Sequence, residues 1–258
     1  MKSQGKIIVV TGGASGIGLA MAKRFIAEGA TVIISDINEK ALIEKAQETG
    51  ATPIAANVSK EEDVRSLVEK ATGLFGRIDV FVSNAGVARF GDVDASEEQW
   101  DFSWHVNVMS QVYAAKYVLP QMLERGEGYL INTASAAGLL VEFHSVLYST
   151  TKHASIGLAE WLAATYRDRG IRVSVVCPGP VRTPMAAGVA AMQEDALEPE
   201  ELVDMVIKAM DKEIFMVSSH EKIWKLYQVK GQDYEKYMNL LVERRAYKLG
   251  LDEKQQPA

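Results

Sequence analysis

Seven short, β-branched apolar runs separated by longer amphipathic stretches constrain this chain more than any other feature. The runs lie at 6–11, 30–36, 52–58, 78–84, 128–135, 171–179 and 213–219, with helical patterns near 16–28, 39–48, 60–75, 97–125, 148–168 and 199–211. Strands that are apolar almost throughout have no face to offer water, so they belong in a parallel sheet covered on both sides. Regular alternation of strand and helix signals βαβ units. The expected fold class is therefore α/β: a doubly wound parallel sheet of about seven strands, flanked by helices on both faces. No Pro/Gly/Ser linker interrupts the series, so 1–219 reads as one domain.

The remainder, 220–258, reads as a C-terminal helical extension. Its 220–249 stretch is rich in Lys, Glu, Tyr and Leu and fits one or two helices broken at Gly231. Left free, it would expose Trp224, Tyr227, Tyr234, Tyr237, Leu240 and Leu241 to water. It is expected to pack on the same domain or on a neighbouring subunit.

Composition excludes several classes. Net charge is −6 with no basic block, which argues against nucleic acid or an anionic membrane as partner. The apolar run Ile7 to Val10 is too short for a membrane span or a signal-peptide core. A single cysteine, Cys177, allows no intrachain disulfide and fits a reducing, cytoplasmic setting. Four histidines, without CxxC or HExxH, give no reason to expect a metal.

The first run ends in Thr11-Gly12-Gly13-Ala14-Ser15-Gly16-Ile17-Gly18, and a helical pattern follows at once. Glycines there allow a tight turn and let backbone N–H groups approach a pyrophosphate at the positive end of the helix dipole. The spacing is GxxxGxG rather than GxGxxG, and read alone it also fits an ordinary strand-to-helix turn. Asp36 weighs against that plainer reading. It ends the second run 18 residues beyond Gly18, where a dinucleotide fold places a carboxylate for the adenosine ribose. A carboxylate there repels a 2′-phosphate, and neither Arg nor Lys lies in the loop or beside Asp36, so the expected cofactor is NAD.

These residues resemble the short-chain dehydrogenase/reductase family over roughly residues 5–185. TGGASGIG is similar to its TGxxxGxG loop, and Ser83-Asn84-Ala85-Gly86 to its NNAG element. Asn107 resembles its helix asparagine. Ser135 with Tyr148-Ser149-Thr150-Thr151-Lys152 resembles its Ser…YxxxK site, and Pro178-Gly179-Pro180-Val181-Arg182-Thr183 its PGxxxT element. Three features depart from the pattern. Asn57, before Val58, stands where an Asp usually contacts adenine, Ser83 replaces an Asn, and the helical tail replaces a glycine-rich C-terminal segment.

The resemblance implies a Rossmann-type sheet and a site of named residues. Gly12, Ser15, Gly16, Ile17, Gly18, Asp36, Asn57, Val58, Asn84, Ala85, Gly86, Tyr148, Lys152, Pro178, Gly179, Val181 and Thr183 would bind the dinucleotide. Asn107, Ser135, Tyr148 and Lys152 would be catalytic. Moving a hydride from a secondary alcohol also requires removal of the hydroxyl proton. Tyr148 suits this if its phenol ionises below the reference of about 10, and a cation lowers it. Tyr148 and Lys152, four apart, share a helix face. Lys152 is expected to favour tyrosinate, and Ser135 to hold the substrate oxygen as charge develops. Asn107 would hold a water chain leading from Lys152. Taken singly, YxxxK is a solvated helix face, Ser135 a cap and Asn107 a polar helix residue.

The expected substrate is an alcohol or ketone of low molecular weight. A 3-oxoacyl-thioester reductase and a non-catalytic NAD(H)-sensing protein share the scaffold. Asp36 weighs against the first, and the intact Ser135, Tyr148 and Lys152 weigh against the second. Residues 185–197 are expected to form a lid, with Glu142, His144 and Arg89 as pocket candidates. Cys177, His105 and His153 read as structural. Leu119, Met122, Ile156, Leu158, Trp161 and Leu162 are candidates for an isologous contact, giving a homodimer or homotetramer.

Overall fold

The structure is a computed structural model describing residues 1–187 and 195–248. Seven strands form one sheet in the order β3-β2-β1-β4-β5-β6-β7. They are β1 Ile7–Thr11, β2 Thr31–Ser35, β3 Thr52–Pro53, β4 Val80–Ser83, β5 Gly128–Thr133, β6 Ile171–Cys177 and β7 Met216–Ser218. Every neighbouring pair is parallel. The chain winds outward from β1 to β3, then crosses back to β4. That reversal leaves a crevice at the carboxyl ends of β1 and β4, the place where open α/β sheets bind ligands.

Side chains alternate across the strands and feed two cores. Ile8 and Val10 join helices α1 (Gly16–Ala27), α2 (Glu39–Thr49) and α8 (Pro199–Asp211) on one face. Val9 and Phe81 join α3 (Glu61–Phe75), α5 (Ser110–Arg125) and α7 (Val146–Tyr166) on the other. Each fully buried Val, Leu, Ile or Phe contributes roughly 1.5–3 kcal/mol relative to exposure, so both sheet faces need their helices. No helix among the described residues is long and apolar enough to cross a membrane.

Four expectations change in detail. The third run pairs only over Thr52–Pro53, because β3 is an edge strand and Pro53 has no N–H to extend the ladder. The pattern at 97–125 is not one helix: α4 (Glu97–Trp104) leads through a π-helical turn, His105–Met109, into α5. The tail is two helices, α9 (Glu221–Gln232) and α10 (Tyr234–Lys248), which break at Asp233 and not at Gly231. Asp233 is extended, at φ −149° and ψ 96°, and its Oδ1 accepts from Lys236 N at 2.9 Å, so it caps α10 while Gly231 stays helical.

The fourth change concerns the expected contact face. Leu119, Met122, Ile156 and Leu162 lie in the chain's own core, because α5 packs on α3 and the sheet, and α7 on the sheet and the π-helical turn. Trp161 remains 58% exposed. The tail adds to the same core: Tyr237 and Leu241 are buried in it, with Ile223, Leu226, Tyr227 and Val229 packed alongside.

Candidate active site

The loop after β1 requires glycine at defined points. Gly12 and Gly16 adopt φ of 65° and 49°, which only glycine takes without strain. A Cβ on Gly18 would sit 2.2 Å from Gly12 O and 2.6 Å from Asn84 Nδ2. The loop therefore leaves a cradle of bare backbone at the start of α1. Ser15 is the extended residue before that helix, and Ile17 lies in its first turn.

Asp36 lies just beyond β2. Its Oδ2 accepts from Ala14 N at 3.3 Å and its Oδ1 from Asn38 N at 3.0 Å, so the carboxylate is fixed beside the glycine loop. Asn57 makes a tight turn in which its Oδ1 accepts from Ser59 N at 3.1 Å and Ser59 Oγ at 2.7 Å. With both lone pairs taken, any contact of Asn57 with adenine falls to its amide N–H groups rather than to its carbonyl. Val58, next to it, is packed against the core.

Asn84 bridges the crevice. Its Nδ2 donates to Thr11 O at 3.1 Å, and its Oδ1 accepts from Thr133 Oγ1 at 3.3 Å. Thr11 Oγ1 accepts from Asn84 N at 3.0 Å and Ala85 N at 3.2 Å. These bonds clamp the ends of β1, β4 and β5 and position Gly86. A Cβ on Gly86 would lie 3.2 Å from Asn107 Oδ1 and 3.3 Å from Lys152 Nζ, so both side chains stand over it.

Asn107 sits in the π-helical turn, fully buried. Its Oδ1 accepts from Val87 N at 2.9 Å, and its Nδ2 donates to Val87 O at 2.9 Å and Thr151 Oγ1 at 3.1 Å. Behind it runs a chain the sequence did not mark. Asn132 donates to Gln111 at 3.0 Å, Gln111 to Ser155 at 3.4 Å, and Ser155 to Asn107 O at 2.9 Å. Their signal was polarity on strands and helices otherwise read as apolar.

Ser135 caps a one-turn helix absent from the expected pattern, α6 (Ala136–Leu139), accepting from Ala137 N at 3.1 Å. It is also hydrogen-bonded to the Tyr148 phenol. Ser145 caps α7, accepting from Tyr148 N at 2.9 Å. Lys152 is buried, with Nζ 5.5 Å from the Tyr148 ring centre and donating to Thr133 O at 3.1 Å. Burial lowers the Lys152 ammonium to about 8. For Tyr148 the expected lowering does not come from the protein's own groups. Burial pushes the phenol up, Ser135's hydrogen bond opposes that, and the charge of Glu142 adds to it. Lys152 does not offset this burial because its Nζ is turned to the Thr133 carbonyl.

The remaining candidates surround this cluster. Pro178 O accepts from Ala136 N at 2.8 Å, Gly179 N donates to Ser219 Oγ at 2.8 Å, and Val181 pairs with Leu197. Thr183 lies against Gly16, so the 178–183 segment crosses the start of α1. Of the expected lid at 185–197, residues 188–194 lie outside the described residues. Glu142 accepts from His144 Nδ1 at 2.8 Å, and His144 meets Phe90 edge-on with ring centres 6.4 Å apart. Arg89 lies over Phe102 instead, 5.1 Å from its ring centre. His105 and His153 bond the carbonyls of Asp101 and Ser149, each at 2.8 Å. Cys177 is buried and its thiol is pushed up to about 12.

A cradle of bare backbone at the sheet's switch point, beside a Ser/Tyr/Lys cluster, defines a class of protein, and the comparisons give its family. The model of the short chain dehydrogenases matches residues 6–194. The chain belongs to the short-chain dehydrogenase/reductase family, oxidoreductases that use a nicotinamide cofactor. A 2,5-dichloro-2,5-cyclohexadiene-1,4-diol dehydrogenase of Sphingobium indicum is 41% identical over 202 residues, 76% of this chain and 80% of that protein. A 3beta-hydroxysteroid dehydrogenase 2 of Eggerthella lenta is 34% identical over 198 residues, 74% of this chain and 76% of that protein. A short-chain dehydrogenase/reductase of Burkholderia phymatum, solved in complex with NAD, superposes with a TM-score of 0.84 at 27% identity, covering 91% of this chain and 96% of that one.

Proposed function

We propose that this chain is an NAD-preferring dehydrogenase that moves a hydride between nicotinamide and a secondary alcohol or ketone, with Tyr148 as acid/base. The observation that carries the reading is the convergence of Ser135, Tyr148 and Lys152 beside Gly86, at the crevice the glycine loop opens. The bare backbone cradle at Gly12 and Gly18 and the fixed Asp36 carboxylate fit a dinucleotide. Bound there, nicotinamide supplies the hydride acceptor or donor.

The protein's residues do the rest. N–H groups at the start of α1, with Ser15, Gly16 and Ile17, face the pyrophosphate. Asp36 accepts from the ribose hydroxyls and repels a 2′-phosphate. Asn57, Val58, Asn84, Ala85 and Gly86 line the adenosine side and floor. Pro178, Gly179, Val181 and Thr183 hold the carboxamide end. Ser135 orients the substrate oxygen, and Tyr148 takes its proton in oxidation or returns it in reduction. Lys152 and Asn107 stand behind Tyr148 and organise proton exit.

The similar diol and hydroxysteroid dehydrogenases act on cyclic alcohols, so cyclic secondary alcohols are the first class to screen. Formation of NADH, followed by its absorbance, is expected with NAD and a member of that class. Equal efficiency with NADP would overturn the cofactor assignment. Assembly is read as an isologous homo-oligomer with Trp161 in its contact. Light scattering that gives a monomer would reject it.

A further inference from the structure

The family match covers residues 6–194, and the helices at 221–248 lie beyond it. One cation in them turns inward. Lys230, on α9, donates from Nζ to Leu139 O at 2.8 Å and meets His153 Nε2 at 3.2 Å, with the Tyr237 ring centre 5.5 Å away. Leu139 is the last residue of α6, the single turn whose other end Ser135 caps. His153 follows Lys152 directly on α7. One ammonium thus ties the turn that carries Ser135 to the helix that carries Tyr148.

We propose that Lys230 is a positioning residue for the Ser135–Tyr148 pair and that the tail is a clamp required for full turnover. The proposal rests on the reading that this pair carries the proton transfer. A single helical turn has almost no stability of its own, and its terminal carbonyls need partners. Lys230 supplies one from outside the sheet domain. Proton transfer tolerates little displacement: a misplacement of about 1 Å can cost on the order of 10²-fold in rate.

The contact also fixes a protonation state. His153 Nδ1 lies 2.8 Å from Ser149 O and its Nε2 faces Lys230 Nζ, an arrangement that only the neutral Nδ1–H tautomer satisfies. Burial lowers the His153 pKa below its ordinary 6.5 and the Lys230 charge adds to this, outweighing the backbone hydrogen bonds of Ser149 and Ala137, which raise it. Lys230 and Tyr237 approach it from the tail. Tyr227 on α9 and Glu160 on α7 lie further along, and Lys152 points away to Thr133. A group depressed in the folded state stabilises it above the unfolded pKa and loses that contribution as pH falls. The clamp is therefore closed at neutral pH and loosens in acid.

The test uses the full-length enzyme and the variants K230M, K230R and H153Q, alongside Y148F. K230M is expected to lower kcat by about 10-fold while KM for NAD stays within about 2-fold, since Lys230 touches no cofactor residue. K230R, which keeps the donors, is expected to recover most of the loss. Wild-type kcat for ketone reduction, in which Tyr148 acts as the neutral acid and so sets no acid limb of its own, is expected to fall in acid, with limited proteolysis cutting the tail faster over the same pH range. H153Q keeps an acceptor for Lys230 and is expected to lose that acid limb. Wild-type kcat in K230M, or an unchanged acid limb in H153Q, overturns the proposal. Should K230M fail to fold, the H153Q profile decides alone. If Y148F keeps its activity, the proton-transfer reading fails instead, whatever K230M does.

Discussion

The crevice and the tail are held by different kinds of contact. At the crevice, backbone meets backbone: Gly18 leaves no room for a Cβ, and Asn84 and Thr11 bond main-chain groups of neighbouring strands. In the tail, side chains meet side chains, with Tyr237 and Leu241 in the core and Lys230 on His153. Backbone geometry demands particular residue types at fixed spacing, so it leaves a motif. Side-chain packing accepts many solutions and leaves only composition. The crevice should therefore fail sharply under single changes and the tail gradually.

The sharpest failure is expected at Tyr148. Tyr148→Phe removes the phenol and should cut turnover by at least ~10²-fold, the low end of general acid–base effects, with NAD affinity nearly intact by fluorescence titration. Alcohol oxidation should rise with pH, because burial favours the neutral phenol and the base must be ionised. A variant as active as wild type would remove Tyr148 from the mechanism.

Gly18→Ala comes next. Its methyl group would meet the Gly12 carbonyl, a backbone atom that cannot swing aside. Overpacking of this kind costs about 1–3 kcal/mol, and here it should appear both as a lower melting temperature and as weaker NAD binding. An unchanged NAD affinity would show that the loop does not cradle the dinucleotide.

Asp36 offers a smaller, more specific effect. Replacing it with Ala removes a charge without disturbing the sheet, and should move the NADP/NAD ratio of kcat/KM toward NADP by about 10-fold, or roughly 1.4 kcal/mol. No movement would mean that Asp36, though fixed beside the loop, does not face the ribose.

What the sequence made legible follows the same division. The order of elements, the glycine loop and the Ser135/Tyr148/Lys152 spacing were readable because parallel strands and tight turns restrict residue choice. The π-helical turn at His105–Met109 was not, since its pattern is that of an α-helix with one extra residue per turn. The short α6 was hidden by its length, and Lys230 by its ordinary appearance in a charged helix. The environment of Tyr148 depends on where Lys152 Nζ points, which a four-residue spacing cannot specify.

The smallest effects test the tail's own break, where two neighbouring substitutions should differ in sign. Gly231 lies inside α9, and a Cβ added there meets open space. Gly in a helix interior costs roughly 0.5–1 kcal/mol relative to Ala, so Gly231→Ala should stabilise α9 by about that much. Asp233 bonds Lys236 N at the start of α10, and loss of such a cap costs about 1 kcal/mol, so Asp233→Ala should loosen α10. If the chain turned at Gly231 through a left-handed glycine conformation, Ala there would be strained and the signs would reverse. Amide hydrogen exchange over 221–248 reads both variants directly. Slower exchange in Gly231→Ala with faster exchange in Asp233→Ala locates the break at Asp233, and the opposite pair returns it to the glycine that composition alone had favoured.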